Sequence, residues 1–250
     1  MSKWVRVGSI ILPLALIVAG LSALVIWSRE PDRFPLRKVE VRSVLKYVRE
    51  DEIEAAVSPF LAKGFFWLNV RSVQANLQQI PWVQSVGVRR VWPDRLQVLV
   101  QERTAQARWG DKGVLSTEGV IFYPAPDTIS DKLPRFDGPN GYAKEMLENY
   151  LTFLEVLGPI GLTVQSVGLS PNGSWQIMLD NDVAVILGKT ALVERLARFV
   201  LAYQSRLQTE KEHIAYVDLR YTNGFAIGWK KGVQNEKKRE ELTHHVQEAR

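Results

Sequence analysis

The residues whose chemistry could serve catalysis or metal binding are few and scattered. The three histidines are His213 and the pair His244 and His245, and none stands at metal-ligand spacing with a carboxylate. Asp180 and Asp182 flank a predicted turn, where side-chain bonds to the backbone are their ordinary use. The sequence contains no cysteine, no glycine-rich phosphate loop and no G-x-S-x-G motif. It therefore predicts no catalytic residue, no metal site, no cofactor and no small-molecule substrate.

Composition and charge exclude further classes of protein. Of the 250 residues, 46% are hydrophobic and 10% are aromatic, which is enough to build packed cores and excludes wholesale disorder. The net charge of +5 is spread along the chain and forms no basic stripe interleaved with aromatic residues. The sequence therefore predicts a folded protein that does not bind nucleic acid.

Residues suited to binding another protein are concentrated near the end of the chain, in the segment VDLRYTNGFAIGWKKG, residues 217–232. Large and small residues alternate there, with Phe225, Ile227 and Trp229 on one side and Gly224, Ala226 and Gly228 on the other. This period of two predicts a β-strand with one nearly bare face. An edge strand could accept a partner's strand through its main-chain groups. A strand paired on both sides under a helix fits the same pattern, and the residues alone leave both alternatives open.

An apolar stretch near the N-terminus predicts a membrane anchor. Residues 7–27 carry no charge over 21 positions, and about 20 apolar residues suffice for a helix to cross a bilayer. A cleaved signal peptide is the alternative, but the small residues at 20–22 are followed by a further apolar run, which favours an uncleaved helix. Residues 1–6 form a short tail before it. Basic residues flank both ends, so the charges leave the orientation open.

Beyond a polar linker, residues 34–103 have the pattern of a compact β-α-α-β-β module. The predicted elements are the strand LRKVEVRS, the helices VREDEIEAAVSPFLAKG and VRSVQANLQQI, and the strands WVQSVGVRRVW and RLQVLVQER. Gly64 ends the first helix, Pro81 ends the second, and Pro93 with Asp94 forms the turn between the last two strands.

Residues 104–232 are predicted to form a mostly β domain, so the fold class is α+β. Short alternating runs are broken by turns at 172–173 and 181–182. Two amphipathic helices, 144–158 and 190–210, interrupt the strands, and their apolar faces are expected to cover the sheet. Residues 233–250 are charged and are predicted to be a flexible extension.

The segment IPWVQSVGVRRVWPDRLQVLVQERTAQARW, residues 80–109, resembles the signature of the FtsQ/DivIB family of bacterial cell-division proteins. The matching elements are the Pro-Trp-Val at 81–83, the Arg-x-Trp-Pro-Asp turn at 90–94 and the Gln-Glu-Arg at 101–103. The resemblance covers nearly the whole chain. It implies a single N-terminal transmembrane helix, a POTRA domain, and a mostly antiparallel β domain with flanking helices.

The resemblance also implies a function without catalysis. Members of the family link early and late components of the divisome and recruit the FtsB–FtsL complex through the edge strand of the β domain. They help to control septal peptidoglycan synthesis, and FtsK, FtsW and FtsI are further implied partners. The implied location is the inner membrane at the division septum, as a single-pass type II protein with its N-terminus in the cytoplasm and its bulk in the periplasm.

Carried onto this chain, the resemblance implies an FtsB-binding set at the final hairpin: Arg220, Tyr221, Asn223, Gly224, Gly228 and Trp229. At Asn223 relatives often have serine. The sequence leaves two other hypotheses of function open. A POTRA chaperone for outer-membrane protein assembly or secretion would need repeated POTRA units or many barrel strands. An anchored periplasmic enzyme would need a pocket with converging titratable groups.

Overall fold

The computed structural model describes residues 14, 16–23, 34–205, 207–222 and 224–230. Residues 14 and 16–23 are helical and exposed. The rest of the predicted membrane helix, 7–27, lies outside the described residues, as do the predicted tails 1–6 and 233–250. Within the described ranges, no helix has the length and hydropathy needed to span a bilayer.

The chain forms two compact units that divide between Arg103 and Thr104. In the first unit, three strands and three helices are described: β1 (Lys38–Val41), α1 (Glu50–Leu61), α2 (Gly64–Trp67), α3 (Val70–Leu77), β2 (Val83–Val91) and β3 (Arg95–Glu102). The sheet order is β1-β3-β2, with β1 parallel and β2 antiparallel to β3. The predicted β-α-α-β-β order is therefore confirmed, with one added helix.

Local sequence explains where the longer helices of this unit begin. The first turn of α1 holds Glu50, Asp51 and Glu52, where the peptide dipoles favour negative charge. Before α3, the Asn69 side chain accepts bonds from the amides of Arg71 and Ser72. Helix α3 packs on both α1 and β2. The buried faces of the two helices thereby close the core over one side of the sheet.

The one-turn helix α2 was not predicted. Gly64, at its start, has a φ of 73°, a conformation that glycine adopts at no steric cost. The sequence there, GFFW, is an apolar run too short to contain a helical repeat. Phe65 is buried, whereas Phe66 remains exposed. Helix α1 ends at Leu61, three residues before the predicted stop at Gly64, and Gly64 instead begins another turn of helix.

In the part of the second unit that the structure describes, nine strands form one sheet. They are β4 (Ala105–Trp109), β5 (Gly113–Ser116), β6 (Ile121–Phe122), β7 (Arg135–Asp137), β8 (Val164–Leu169), β9 (Trp175–Leu179), β10 (Ala184–Gly188), β11 (Ile214–Asp218) and β12 (Ala226–Trp229). The order across the sheet is β12-β11-β10-β9-β8-β7-β4-β5-β6. Five neighbouring pairs are antiparallel and three are parallel, so the sheet is mixed but mostly antiparallel.

Helices α4 (Ala143–Leu157) and α5 (Leu192–Ser205) pack against each other and against the sheet. Their buried residues, including Phe153 and Phe199, belong to one core with the strand residues. The predicted second helix continued to residue 210. The α-helix instead ends at Ser205, and a 3₁₀ helix occupies Leu207–His213 before β11 begins.

Both predicted hairpin turns are present. Between β8 and β9, Gly173 has a φ of 82° and its amide donates to the carbonyl of Ser170. Between β9 and β10, Asp182 has a φ of 62° and its amide donates to the carbonyl of Leu179. Asp180 accepts a bond of 3.0 Å from the hydroxyl of Thr163. Asp182 therefore lies in the turn, as predicted, whereas Asp180 bonds to Thr163, just before β8.

Candidate functional site

Strand β12 forms one edge of the nine-stranded sheet. Among the described residues its neighbour is β11 alone, with Gly228 opposite Tyr216 and Ala226 opposite Asp218. The structure thus places the predicted binding strand at an edge and not between two strands. An edge strand carries main-chain groups to which a strand from another chain can bond.

The main-chain bonds of this segment define which groups face outward. The amide of Lys230 donates to the carbonyl of His213 at 2.8 Å, so the even-numbered residues of β12 direct their main-chain groups toward β11. Because this direction alternates along a strand, Ile227, in the middle of β12, directs its N–H and C=O groups away from β11. The outer side of β12 therefore offers a donor and an acceptor to which an added strand can bond.

The large side chains of this strand lie on the core side of the sheet. Phe225, Ile227 and Trp229 are half-buried and pack against the core of the second unit. The predicted alternation of large and small residues between the two faces is therefore present. Trp229 contributes to the packing of this edge in addition to its predicted part in partner binding.

The opposite face of β12 is covered at Gly228. Tyr216 lies opposite Gly228 on β11, and a β-carbon placed at Gly228 would collide with its ring. The ring of this cross-strand tyrosine occupies the space beside residue 228, which explains why the residue there is glycine. Any larger residue at 228 must push the Tyr216 ring outward, into solvent.

An ion pair stabilises the start of the β11–β12 connection. The guanidinium of Arg220 donates to both carboxylate oxygens of Asp218, from Nε to Oδ1 at 2.9 Å and from Nη2 to Oδ2 at 2.7 Å. The backbone amide of Arg220 also donates to Oδ1, at 3.1 Å. These bonds from Arg220 hold the pKa of the nearly buried Asp218 below its usual range, although burial alone would raise it. The same pairing raises the pKa of Arg220.

A second arginine holds the middle of this connection from a distant helix. Nη1 of Arg198, on α5, donates to the carbonyl of Thr222 at 2.7 Å, and Nη2 donates to the carbonyl of Tyr221 at 3.4 Å. A charged donor forms stronger bonds to carbonyls than a neutral one. Arg198 therefore fixes the loop that leads into β12.

Two arginines also meet at the end of β10. Nη1 of Arg195 donates to the carbonyl of Leu187 at 2.6 Å. Gly188 has a φ of 82°, and a β-carbon there would lie 2.6 Å from Nη1 of Arg195 and 3.1 Å from Cγ of Arg220. Glycine at 188 suits the positive φ of the backbone, and a β-carbon there would also force the Arg195 guanidinium to shift.

The surface of the loop is an open depression of about 450 Å³ lined by Tyr221, Thr222, Gly224, Phe225 and Ala226. Tyr221 is 57% exposed. No described atom beyond its chain neighbours lies within 4 Å of a β-carbon placed at Gly224, so this glycine borders free space. Asn223 lies outside the described residues. The structure thus brings two of the predicted residues, Tyr221 and Gly224, to one depression beside the sheet edge.

Sequence reasoning missed the residues that support this loop. Helical spacing places Arg195 and Arg198 outside the apolar face of α5, so the pattern gives neither residue a structural role. Nothing in the sequence linked Arg198 to a carbonyl 24 residues later. Asp218 was likewise missed, because an aspartate at the end of a strand has no distinctive spacing.

A larger groove, of about 850 Å³, lies elsewhere on the sheet, between residues of β7, β8, β9 and β10. Its basic residue Arg135 pairs with Asp111 at 2.7 Å. Within the described ranges, no cluster of three or more histidine, aspartate or glutamate side chains could hold a metal ion. The groove therefore carries no arrangement that indicates catalysis, and the sheet edge is the stronger candidate site.

Comparison with known families agrees with this architecture. Residues 34–103 match the family model described as POTRA domain, FtsQ-type. Residues 107–220 match the model described as Cell division protein FtsQ/DivIB, C-terminal. The two matches follow the two units of the structure, and they define the chain as a POTRA-containing cell division protein.

Individual relatives extend the match over most of the chain. The protein named Cell division protein FtsQ from Aliivibrio fischeri is 34% identical over 205 residues, which cover 82% of this chain and 80% of the relative. The protein of that name from Escherichia coli is 35% identical over 209 residues, covering 81% and 76%. The one from Coxiella burnetii is 32% identical over 211 residues, covering 84% and 87%. The chain belongs to the FtsQ/DivIB family of cell division proteins, which confirms the resemblance in its sequence.

Proposed function

We propose that this cell division protein recruits the FtsB–FtsL complex by accepting a strand of FtsB along β12. The position of β12 at the sheet edge, with the main-chain groups of Ile227 directed outward, is the observation that carries the proposal. The protein performs no chemical step. It links early and late components of the divisome by assembly, and it thereby helps to control septal peptidoglycan synthesis.

In the proposed complex, main-chain hydrogen bonds give the affinity, and the neighbouring loop determines which FtsB residue lies opposite each residue of β12. The FtsB strand pairs with the outer side of β12 and ends over the depression beside Tyr221 and Gly224. Tyrosine combines a large apolar surface with a hydroxyl, and it is enriched among residues that dominate binding energy. Gly224 borders open space, so the partner's chain can approach the backbone closely there.

The proposal includes a single-pass membrane topology. Residues 7–27 form the inner-membrane anchor, residues 1–6 lie in the cytoplasm, and residues 34–232 lie in the periplasm at the septum. The run of 21 uncharged and mostly apolar residues supports the anchor. FtsK, FtsW and FtsI are further partners in this scheme.

The decisive experiment changes one outward amide of β12. The Ile227 N–H points away from β11, so Ile227→Pro removes a donor offered to FtsB without removing a bond to β11. The matched control, Ile227→Ala, loses the same packing against the core but keeps the amide. Binding of full-length protein in lipid nanodiscs to purified FtsB–FtsL is measured by isothermal calorimetry. We expect the proline variant to bind at least about tenfold more weakly than the alanine variant.

Equal affinities of the proline and alanine variants would refute strand addition at β12. A second variant, Gly224→Asp, introduces a charge where the fold leaves room and should weaken binding without lowering stability. It is a cleaner probe than Trp229→Ala, which also removes packing from the core. The division role has its own test: a fluorescent fusion should form a band at mid-cell, and a uniform envelope signal would contradict it.

A further inference from the structure

Exposed aromatic side chains gather at one end of the POTRA domain. Phe66 is 46% exposed, Trp67 is 43% exposed and Trp92 is 73% exposed. Phe66 and Trp67 belong to the one-turn helix α2, and Trp92 lies in the turn between β2 and β3. We call these three residues the aromatic end. A single exposed aromatic residue is ordinary, but several on one surface mark an interaction site.

The side chain of an arginine links the two segments that form the aromatic end. Nη1 of Arg90, two residues before Trp92, donates to the carbonyls of Phe65 and Phe66 at 3.2 and 2.9 Å. This guanidinium therefore links α2 to the end of β2. The contact fixes the relative positions of Phe66 and Trp92, although 25 residues separate Phe65 from Arg90 in sequence.

The chain enters the POTRA domain at this same end. The amide of Phe65 donates to the carbonyl of Phe34 at 2.8 Å, and the rings of Phe34 and Phe66 meet edge to face with centroids 5.0 Å apart. The amide of Arg37 donates to the carbonyl of Asp94, in the β2–β3 turn, at 3.0 Å. Phe34 is the first described residue of this domain. The aromatic end therefore surrounds the point at which the linker arrives.

The surface around this end is basic. Arg37, Lys38 and Lys63 are exposed there. The acidic groups beside them, Glu40 and Asp94, both face Arg95, at 2.8 and 4.0 Å. Four basic side chains thus stand against two acidic ones, so the net charge here is positive and complements an anionic surface.

The linker is short compared with the domain. Seven peptide steps separate Trp27, at the end of the apolar stretch, from Phe34. Fully extended, they span at most about 25 Å. If residues 7–27 lie in the bilayer, Phe34 cannot leave the membrane surface by more than this length. The aromatic end is thus the part of the POTRA domain that the anchor holds closest to lipid.

We propose that the aromatic end rests in the interfacial layer of an anionic phospholipid bilayer. Tryptophan and phenylalanine place their rings at the boundary between headgroups and acyl chains, and neighbouring lysines and arginines bind anionic headgroups. Contact at this end fixes the orientation of the POTRA domain on the membrane. The inference rests on the membrane anchor proposed above, and it concerns a surface separate from β12.

The absence of cysteine from the sequence makes a direct test possible. Single-cysteine variants of the full-length protein are labelled with an environment-sensitive nitrobenzoxadiazole probe and reconstituted in vesicles of phosphatidylethanolamine and phosphatidylglycerol. Trp92→Cys and Phe66→Cys report on the aromatic end. Val44→Cys is the matched control, because Val44 is fully exposed beyond the opposite end of β1. Ile17→Cys reports on insertion of the apolar stretch itself.

One quencher in the lipid and one in the water together locate each probe. Lipids with a doxyl group high on the acyl chain quench probes about 5–10 Å into the interface, so they should quench the probes at 92 and 66 about threefold more than the probe at 44. Aqueous iodide should show the reverse order. Circular dichroism checks that each labelled variant is folded, and agreement between positions 66 and 92 guards against a local effect of either substitution.

A second measurement tests the basic surface. The triple variant Arg37→Gln, Lys38→Gln, Lys63→Gln is combined with Trp92→Cys, and phosphatidylglycerol is exchanged for phosphatidylcholine in a parallel set. Each change should reduce lipid quenching at 92 about twofold, because the attraction between basic residues and anionic headgroups is lost. Together they should reduce it no further than either does alone.

The remaining outcomes each decide the question. Lipid quenching at 17 with iodide quenching at both 92 and 66 would overturn this inference and leave the anchor standing. Iodide quenching at 17 would overturn the anchor and this inference together. Protection of 92 only after FtsW or another membrane protein is added would overturn the lipid contact in favour of a protein partner. None of these results depends on whether β12 binds FtsB.

Discussion

The two edges of the large sheet differ in how each is exposed. At one edge, β6 spans only Ile121–Phe122, and Tyr123 and Pro124 follow it directly. A short strand with proline at its end offers little to another chain. At the other edge, β12 is longer and is preceded by a loop whose carbonyls are held by Arg198. The contrast shows that the loop before β12 is held by an arginine from another helix, whereas β6 is only a two-residue strand.

The largest effect should come from the glycine that the two arginines surround. Gly188 and Gly173 both have a φ of 82°, but only Gly188 has side-chain atoms where its β-carbon would lie. We expect Gly173→Ala to lower the free energy of unfolding by about 1 kcal/mol and Gly188→Ala by about 3 kcal/mol. Urea unfolding of the second unit, followed by near-ultraviolet circular dichroism, measures both. Equal losses would mean that Arg195 and Arg220 move aside freely.

Removing the loop support should give the next largest effect. Arg198→Ala deletes two bonds to loop carbonyls, each worth about 1 kcal/mol, so in the proposed complex the affinity for FtsB–FtsL should fall by as much as about thirtyfold. Glu194→Ala, an exposed change one turn earlier on α5, is the control. Amide hydrogen exchange should also accelerate at Tyr221 and Thr222 in the arginine variant. Unchanged hydrogen exchange at these two amides would show that the loop keeps its conformation without Arg198.

The Asp218–Arg220 pair should give a smaller, pH-dependent effect. The folded-state pKa of Asp218 lies below the ordinary value of 3.8, so the ionised pair stabilises the fold above that pH. This contribution is lost as the pH falls through the folded-state pKa. Asp218→Asn should cost only about 1 kcal/mol at pH 7, because the exposed side of Arg220 is screened by solvent. The gap between variant and wild-type unfolding free energies should close below pH 3.8, and a gap independent of pH would contradict the assignment.

The smallest effect belongs to the β6 edge. The amide of Ser116 donates to the carbonyl of Val120, so by alternation Ile121 directs its main-chain groups away from β5. Ile121→Pro therefore makes the same chemical change there as Ile227→Pro makes at β12. We expect affinity for FtsB–FtsL to stay within about twofold of wild type, since the proposed FtsB strand pairs with β12 and not with this edge. A loss comparable to that of Ile227→Pro would mean that both edges, or neither, accept the partner.

The parts of this fold that local chemistry determines could be predicted from sequence. The turn at Asn172 and Gly173 was predicted because glycine there provides the positive φ that a tight turn needs. The alternation along β12 likewise predicted that Phe225, Ile227 and Trp229 share one face, and in the structure that face is the core side. In each case the deciding residues are neighbours in sequence, so a short window contains the whole cause.

The parts that depend on distant residues could not be predicted. Whether β12 is an edge strand depends on the order of nine strands, which no periodicity specifies. The β11–β12 loop depends on Arg198, which reaches its carbonyls only because α5 packs beside the end of the sheet. The ring over Gly228 comes from Tyr216, a cross-strand pairing that the alternation alone does not reveal.

The arrangement of β1 and β3 has a mechanical consequence for a tethered protein. The chain enters this sheet at the N-terminal end of β1 and leaves it at the C-terminal end of β3, and the two strands are parallel neighbours. Pulling on the chain from both sides therefore shears the strands along each other, from Lys38 opposite Arg95 to Val41 opposite Val98. In shear, all the hydrogen bonds between the strands carry the load together, whereas peeling would break them singly. The POTRA domain is thus built to transmit tension without opening.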